Sequence, residues 1–216
     1  MCEKILSYVK NWILTHRYCA AMLYIPCYLV TFFLMDGAFE PKYIIHCGLD
    51  DLIPFNEYFV VIYMLWFPSI MLVLLALMLV SERDFKRLAF TMFTGMTISL
   101  IIYGILPTGL LLRPQIEDTN FFRHVMLIVW GVDEAVNVCP SIHCSSSSAT
   151  ALVLACSPFC RRYPKVSAAV ILFMLLIIVS TVFVKQHSVI DVVCGVGLTC
   201  LLFAIALLWE KRQADR

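Results

Sequence analysis

The stretch Val182-Phe183-Val184-Lys185-Gln186-His187-Ser188-Val189-Ile190-Asp191 decides how this chain reads. It holds the only charged or histidine side chains between Val166 and Trp209. The apolar runs it separates, 166–184 and 188–209, each have about the 17–25 residues a helix needs to cross the hydrocarbon of a bilayer. Two membrane helices joined by a short polar connection are therefore expected. The connection carries a histidine and, four residues on, an aspartate, a spacing that stacks both on one helix face.

Working outward, the same pattern recurs. Further apolar runs lie at about 18–35, 58–80, 88–106 and 141–158. Hydrophobic residues make up 62% of the 216 and charged residues only 14%. A soluble domain would carry about 25% charge, so a soluble enzyme is excluded and an all-α polytopic membrane protein is expected, a six-transmembrane helix bundle. Ser145 to Ser148 make the first turns of the fourth run polar. Residues 1–17 place Ile5, Leu6, Val9, Trp12, Ile13 and Leu14 at helical spacing among Lys4, Lys10 and Arg17, the pattern of an interfacial amphipathic helix. A basic flank ahead of an apolar run resembles a signal peptide, but no small-x-small cleavage site follows and Asp36-Gly37 opens a loop. An uncleaved anchor is expected. The domain layout is then 1–17 interfacial helix, 18–209 six-span domain and 210–216 cytoplasmic tail.

The cations are sorted unevenly. Lys4, Lys10, Arg17, Arg83, Lys86, Arg87, Arg161, Arg162, Lys165, Lys211, Arg212 and Arg216 fall on one side of the six spans, twelve of the sixteen Lys and Arg. Lys42, Arg113, Arg123 and Lys185 fall on the other. The positive-inside rule places both termini in the cytoplasm. The connections 107–114, 139–143 and 185–191 then face the extracytoplasmic side of a cell membrane. Within the long connection 107–140, the short apolar stretch Val125–Trp130 reads as a lid at the interface. The ten cysteines form no CxxC pair, and most lie in apolar runs where a thiol is a small hydrophobe. A disulfide among Cys47, Cys139 and Cys144 is left open.

Three clusters carry chemistry. Asp191 can orient His187 through one ring nitrogen and leave the other free to attack. An ionisable pair inside a span costs roughly 2.5–3.5 kcal/mol per charge on insertion scales, a cost usually tolerated for function. Pro140-Ser141-Ile142-His143 opens the fourth run, with Ser141 as helix cap and the first-turn amides as an anion cradle beside His143. Arg113-Pro114 offers a guanidinium suited to bidentate phosphate binding, and Lys185 a second positive charge. Together these are the parts of a metal-free phosphoryl transfer. A zinc site from Cys139, His143, Cys144 and His187, or a serine protease pairing one of Ser145–Ser148 with His187, are the competing chemical readings. Neither has the ligand spacing or the G-x-S motif it needs.

Arg113-Pro114, Pro140-Ser141-Ile142-His143 and Ser180…His187…Asp191 resemble the three signature blocks of the type-2 phosphatidic acid phosphatase superfamily, K-x6-R-P, P-S-G-H and S-R-x5-H-x3-D. Ser180 to His187, Ile190 to Gly195, Ile53-Pro54-Phe55 and Tyr63-Met64-Leu65-Trp66 look most like its branch related to inositol phosphorylceramide synthase. The resemblance implies a six-helix lipid phosphatase or phosphotransferase without cofactor or metal. His187 would be the nucleophile, Asp191 its orienting carboxylate and His143 the general acid, with Arg113, Ser141 and Lys185 on the phosphate. It implies a lipid phosphomonoester or diphosphate as substrate, with transfer of a phospho-headgroup to a lipid acceptor as the alternative. Membrane lipids are the expected surroundings, no nucleic acid is expected, and homo-oligomerisation is open. Three positions depart from the pattern: Leu106 replaces its lysine, Ile142 its glycine and Thr181 its arginine. A lipid-binding scaffold without chemistry is the non-enzymatic alternative these losses leave.

Overall fold

The computed structural model describes residues 14–36, 38, 40–117 and 120–215. The interfacial helix expected over 1–17 lies for the most part outside the described residues. The described residues are all-α apart from one two-residue strand pair, and among them five helices are long and apolar enough to cross a membrane: Arg17–Met35, Glu57–Val80, Glu82–Ile105, Pro164–Phe183 and Val189–Ala214. The first begins as a 3₁₀ turn, Arg17–Leu23, and becomes α1 (Tyr24–Asp36) just ahead of Pro26, which is tolerated in a first helical turn. The second is broken into a 3₁₀ turn (Glu57–Phe59), α3 (Val60–Met64) and α4 (Trp66–Val80), after the short α2 (Gly48–Leu52). Pro68 has no N–H to offer the Met64 carbonyl, which accounts for the break at Leu65.

Helix α5 (Glu82–Ile105) starts six residues before the apolar run does. Ser81 caps it by accepting from the Asp84 amide, and Glu82 pairs with Lys86 one turn on at 2.5 Å. Arg87 is buried and donates to both oxygens of Glu210, so these charges close one end of the bundle. After α6 (Phe121–Val132) come α7 (Ile142–Cys156), the short α8 (Pro158–Arg162), α9 (Pro164–Phe183) and α10 (Val189–Ala214). The expected tail from 210 is helical as far as Ala214, continuous with the last apolar helix.

The fourth expected span differs from the others. At 15 residues α7 is about 22 Å long, less than the ~30 Å hydrocarbon thickness. It packs against α4, α5, α9 and α10 and sits at the middle of the bundle. Its polar turns therefore meet protein, as buried polar groups require: Ser145 Oγ lies 2.9 Å from Thr199 Oγ1, and Ser146 Oγ accepts from Trp66 Nε1 at 2.7 Å. Around it, Ile70, Leu74, Phe85, Leu88, Met92 and Ile177 form a fully buried apolar core.

At the end opposite Glu210 the connections are tied together. Strand β1 (Tyr43–Ile44) pairs in parallel with β2 (Thr108–Gly109), and Gly109 also bridges Val136. Tyr103 donates to the Pro140 carbonyl, and the Ser141 amide to the Asp191 carbonyl at 3.1 Å. One glycine is needed there: a Cβ on Gly195 would lie 2.6 Å from the Ser141 carbonyl oxygen. Only hydrogen at that position lets α10 approach the first turn of α7 this closely. The three connections singled out from the sequence thus converge on one end of the bundle.

Candidate active site

His143 and His187 meet at this end. Their rings approach with Nε2 of His187 3.3 Å from Nδ1 of His143, across 44 residues of sequence. His187 Nδ1 faces Asp191 Oδ2 at 3.5 Å, one turn along, and both side chains are buried. The carboxylate lies on the Nδ1 side of His187 and leaves its Nε2 turned to His143.

His143 is held by aromatic rings. Tyr63 stacks on it at 4.7 Å between centroids and Trp66 lies at 4.1 Å. These two side chains are three apart and share one face of the α3–α4 segment. The Tyr63 hydroxyl donates to Asp133, which also accepts from Gln186 Nε2 at 3.0 Å.

Ser141 caps α7 as expected, its Oγ accepting from the Cys144 amide at 3.2 Å. Arg113 reaches Gln186, the neighbour of His187, and otherwise faces the end of α6. It donates to the carbonyls of Trp130 (3.0 Å) and Asp133 (2.6 Å) at the C-terminal end of α6, and to the Gln186 side chain. Its guanidinium lies over the Trp130 ring. A cation on the last carbonyls of a helix is a favourable cap. The lid stretch itself is helical over Phe121–Val132, with Met126 and Trp130 buried and the Trp130 indole donating to the Val184 carbonyl.

Lys185, expected at the phosphate, directs its ammonium to the turn after Gly48. Its Nζ donates to the carbonyls of Asp50 (2.8 Å) and Ile53 (2.5 Å). Its backbone is left-handed, φ 57°, a conformation in which non-glycine residues are uncommon. Thr181, in the place of the family arginine, is buried and bonds back to the Ile178 carbonyl. Neither chemical alternative gathers a site. Among the described residues no three His, Cys, Asp or Glu side chains converge as metal ligands, and no serine of 145–148 has a hydrogen bond to His187. Cys47, Cys139 and Cys144 are free thiols.

Sequence reasoning missed Asp50. Its carboxylate accepts from Ser188 Oγ (2.7 Å) and from the amides of Val189 and Cys47 (2.8 Å each). It therefore caps α10 from outside, fixing the turn that carries His187 and Asp191. Burial pushes the Asp50 carboxyl up, but the donors from Ser188, Val189 and Cys47 outweigh it and hold the group below its ordinary value of 3.8. Its bond to the Cys47 amide is local, but its partners on the α10 turn are more than 130 positions away, and no sequence pattern points to them.

Asp50→Asn replaces one acceptor oxygen with a donor and leaves buried donors unmatched, at about 1–3 kcal/mol. The expected result is a thermal midpoint in detergent several degrees below wild type. A carboxyl with a depressed folded pKa stabilises above its unfolded value and loses this as pH falls through the folded one. The gap between the two proteins is accordingly steady from pH 5 to 8 and narrows below about pH 4.

Among the described residues, five long apolar helices describe a multi-pass membrane protein, with His143, His187 and Asp191 gathered at one end of them. A family model of the PAP2 superfamily matches residues 88–215, and the chain belongs to that superfamily, whose members are generally phosphatases and phosphotransferases of lipid substrates. Comparison with curated proteins and with solved structures gives no match.

Proposed function

We propose that this protein cleaves a lipid phosphate ester without a metal, through a phosphohistidine at His187. The observation that carries the reading is the contact of His187 Nε2 with His143 Nδ1, with Asp191 behind His187. Substrate phosphorus displaces the hydrogen bond between the rings. His187 Nε2 attacks, the N–P bond forms, and the P–O bond to the leaving group breaks. His143 enters the cycle as imidazolium, and its Nδ1 proton passes to the departing alkoxide, leaving a neutral ring. Asp191 balances the charge that develops on the His187 ring. In the second half His143 takes a proton from water, the water oxygen attacks phosphorus and the N–P bond breaks. Amides of the first turn of α7, behind Ser141, are placed to hold the phosphoryl oxygens. Arg113 reaches those oxygens by letting go of the lid carbonyls, whereas Lys185 acts as a brace for the 50–53 turn.

One observation favours an alcohol in place of water as acceptor, the chemistry of the inositol phosphorylceramide synthase-like branch. A cavity of about 380 Å³ adjoins the pair and is walled by Leu29, Phe32, Phe33 and Phe67, which offers a path for a lipid hydroxyl. For sidedness, the cation distribution supports cytoplasmic termini, six crossings and an active site open to the extracytoplasmic face of the cell membrane.

The test is turnover of lipid phosphomonoesters, diphosphates and phosphodiesters by the full chain in mixed micelles with excess EDTA. Turnover undiminished by the chelator is expected. Loss on chelation and recovery with a divalent cation would contradict the histidine-only mechanism.

A further inference from the structure

The end of the bundle away from the histidines carries more positive charge than its carboxylates balance. Nine of the cations sorted to this side lie among the described residues, against Glu82, Asp84, Glu210 and Asp215. Glu210 accepts from Arg87 Nε at 2.7 Å and Nη2 at 2.5 Å, and also from Arg83 Nε at 2.9 Å. Arg87 is buried, with Asp84 on its inner side, whereas the Arg83 side chain is 69% exposed. Lys86 pairs with Glu82 one turn back, and both are exposed. A surface pair of this kind contributes little and is screened by salt, so another anion can take its place.

Below this rim the surface is grooved and apolar. Between α5 and α10 runs a groove of about 570 Å³, with Arg83 and Lys86 at its rim and Phe90, Ala206 and Trp209 further in. On the other side of Lys86 and Phe90 lies a second groove of about 480 Å³, from Arg17 at the rim to Ala89 and Phe93. On α5 the step from Arg83 to Phe90, or from Lys86 to Phe93, is seven residues, about 10 Å along the helix into the bilayer. The Trp209 indole, exposed and edge-on to Phe90, stands at the boundary where tryptophans meet lipid headgroups. Two apolar grooves under one cationic rim match the headgroup and paired chains of a phospholipid. An acidic peptide in water would meet the rim but not the depth at which Phe90 and Phe93 lie.

We propose that this surface binds a two-chain anionic phospholipid of the leaflet opposite the histidine pair, its phosphate against Lys86 and Arg83 and its chains on either side of Phe90. Basic pockets between membrane helices are the usual sites for such headgroups. A lipid seated there joins the first helix, α5 and α10, which otherwise meet at this end through the Glu210 pairs and the bond from Tyr18 to the Met78 carbonyl. It takes no part in chemistry, and the site stands independently of the histidine mechanism. Its effect is on stability, since a ligand that binds only the folded chain raises the thermal midpoint.

The experiment melts the full chain, freed of co-purified lipid, in nonionic micelles doped with phosphatidylglycerol or chain-matched phosphatidylcholine. Phosphatidylglycerol is expected to raise the midpoint several degrees above phosphatidylcholine, and Arg83→Gln with Lys86→Gln to remove most of that difference. Because these substitutions lie at the far end from the histidines, their effect separates this site from lipid held at the active site. Equal midpoints in the two lipids, or a difference the paired variant keeps, overturn the proposal. So does an equal rise with inorganic phosphate or glycerol 3-phosphate alone, which marks a free-anion site, or with a glutamate-rich peptide alone, which marks a protein surface. Should the paired variant fail to fold, Trp209→Phe leaves the charges in place and supplies the second readout. Phosphatidylglycerol with brominated chains quenches wild-type fluorescence more than brominated phosphatidylcholine, and Trp209→Phe loses the excess. No excess in wild type, or the same excess in Trp209→Phe, overturns the proposal.

Discussion

His187→Ala is expected to reduce turnover by ~10⁴–10⁶-fold, the scale on which enzymes lose rate when a covalent nucleophile is removed. Its Nε2 is the one ring nitrogen in the site that faces a proton donor while its other nitrogen faces a carboxylate, at 3.3 Å and 3.5 Å. The nearby nucleophilic side chains of α7 are engaged elsewhere: Ser145 bonds to Thr199, Ser146 to Trp66, and Cys144 Sγ lies 3.7 Å from Thr181. The fold should survive the substitution. The first turn of α10 is fixed by Ser188, Asp191 and Asp50, whose bonds do not pass through the imidazole. Equal melting temperatures with turnover lost are the expected pair of readings from a thermal scan and a micelle assay.

His143→Ala is expected to retain activity, but about 10²–10⁴-fold below wild type, the usual worth of general acid–base assistance. The attacking nitrogen remains, and only the proton for the departing oxygen is missing. A substrate with a leaving group that needs no proton, such as a nitrophenyl phosphodiester, therefore recovers most of the lost rate in this variant. His187→Ala recovers none. That contrast separates an acid from a nucleophile more cleanly than either loss alone. Parallel losses on both substrates would instead mark His143 as a packing residue between Tyr63 and Trp66.

The spans were legible from the sequence wherever lipid and protein both favour apolar side chains, as in α4, α9 and α10. The start of α5 was not, because its charges are stabilised by distant partners: Arg87 pairs with Glu210, 123 residues away. The serines of α7 read as a polar interruption because Thr199 and Trp66 lie on other helices. The central His143, His187 and Asp191 were visible through spacing, and Ser141 through its position before a helix. The phosphate-binding role expected of Lys185 rests on its place two residues before His187. Its ammonium in fact satisfies carbonyls of a turn 132 and 135 residues earlier. Asp50, Asp133 and Gln186 carry no motif at all. Their importance comes from what the folded chain places around them, and a pattern one helix turn long cannot express it.

The most direct test of the central claim is to trap the intermediate. The full chain in micelles with EDTA is mixed with a turned-over lipid, quenched under alkaline conditions that preserve phosphohistidine, digested and examined by mass spectrometry. The account predicts a phosphoryl or phospho-headgroup adduct on the peptide containing His187, absent from His187→Ala and accumulated in His143→Ala, where removal of the intermediate is slowed. An adduct on a serine, or single-turnover product formation with no adduct on any residue, would contradict it.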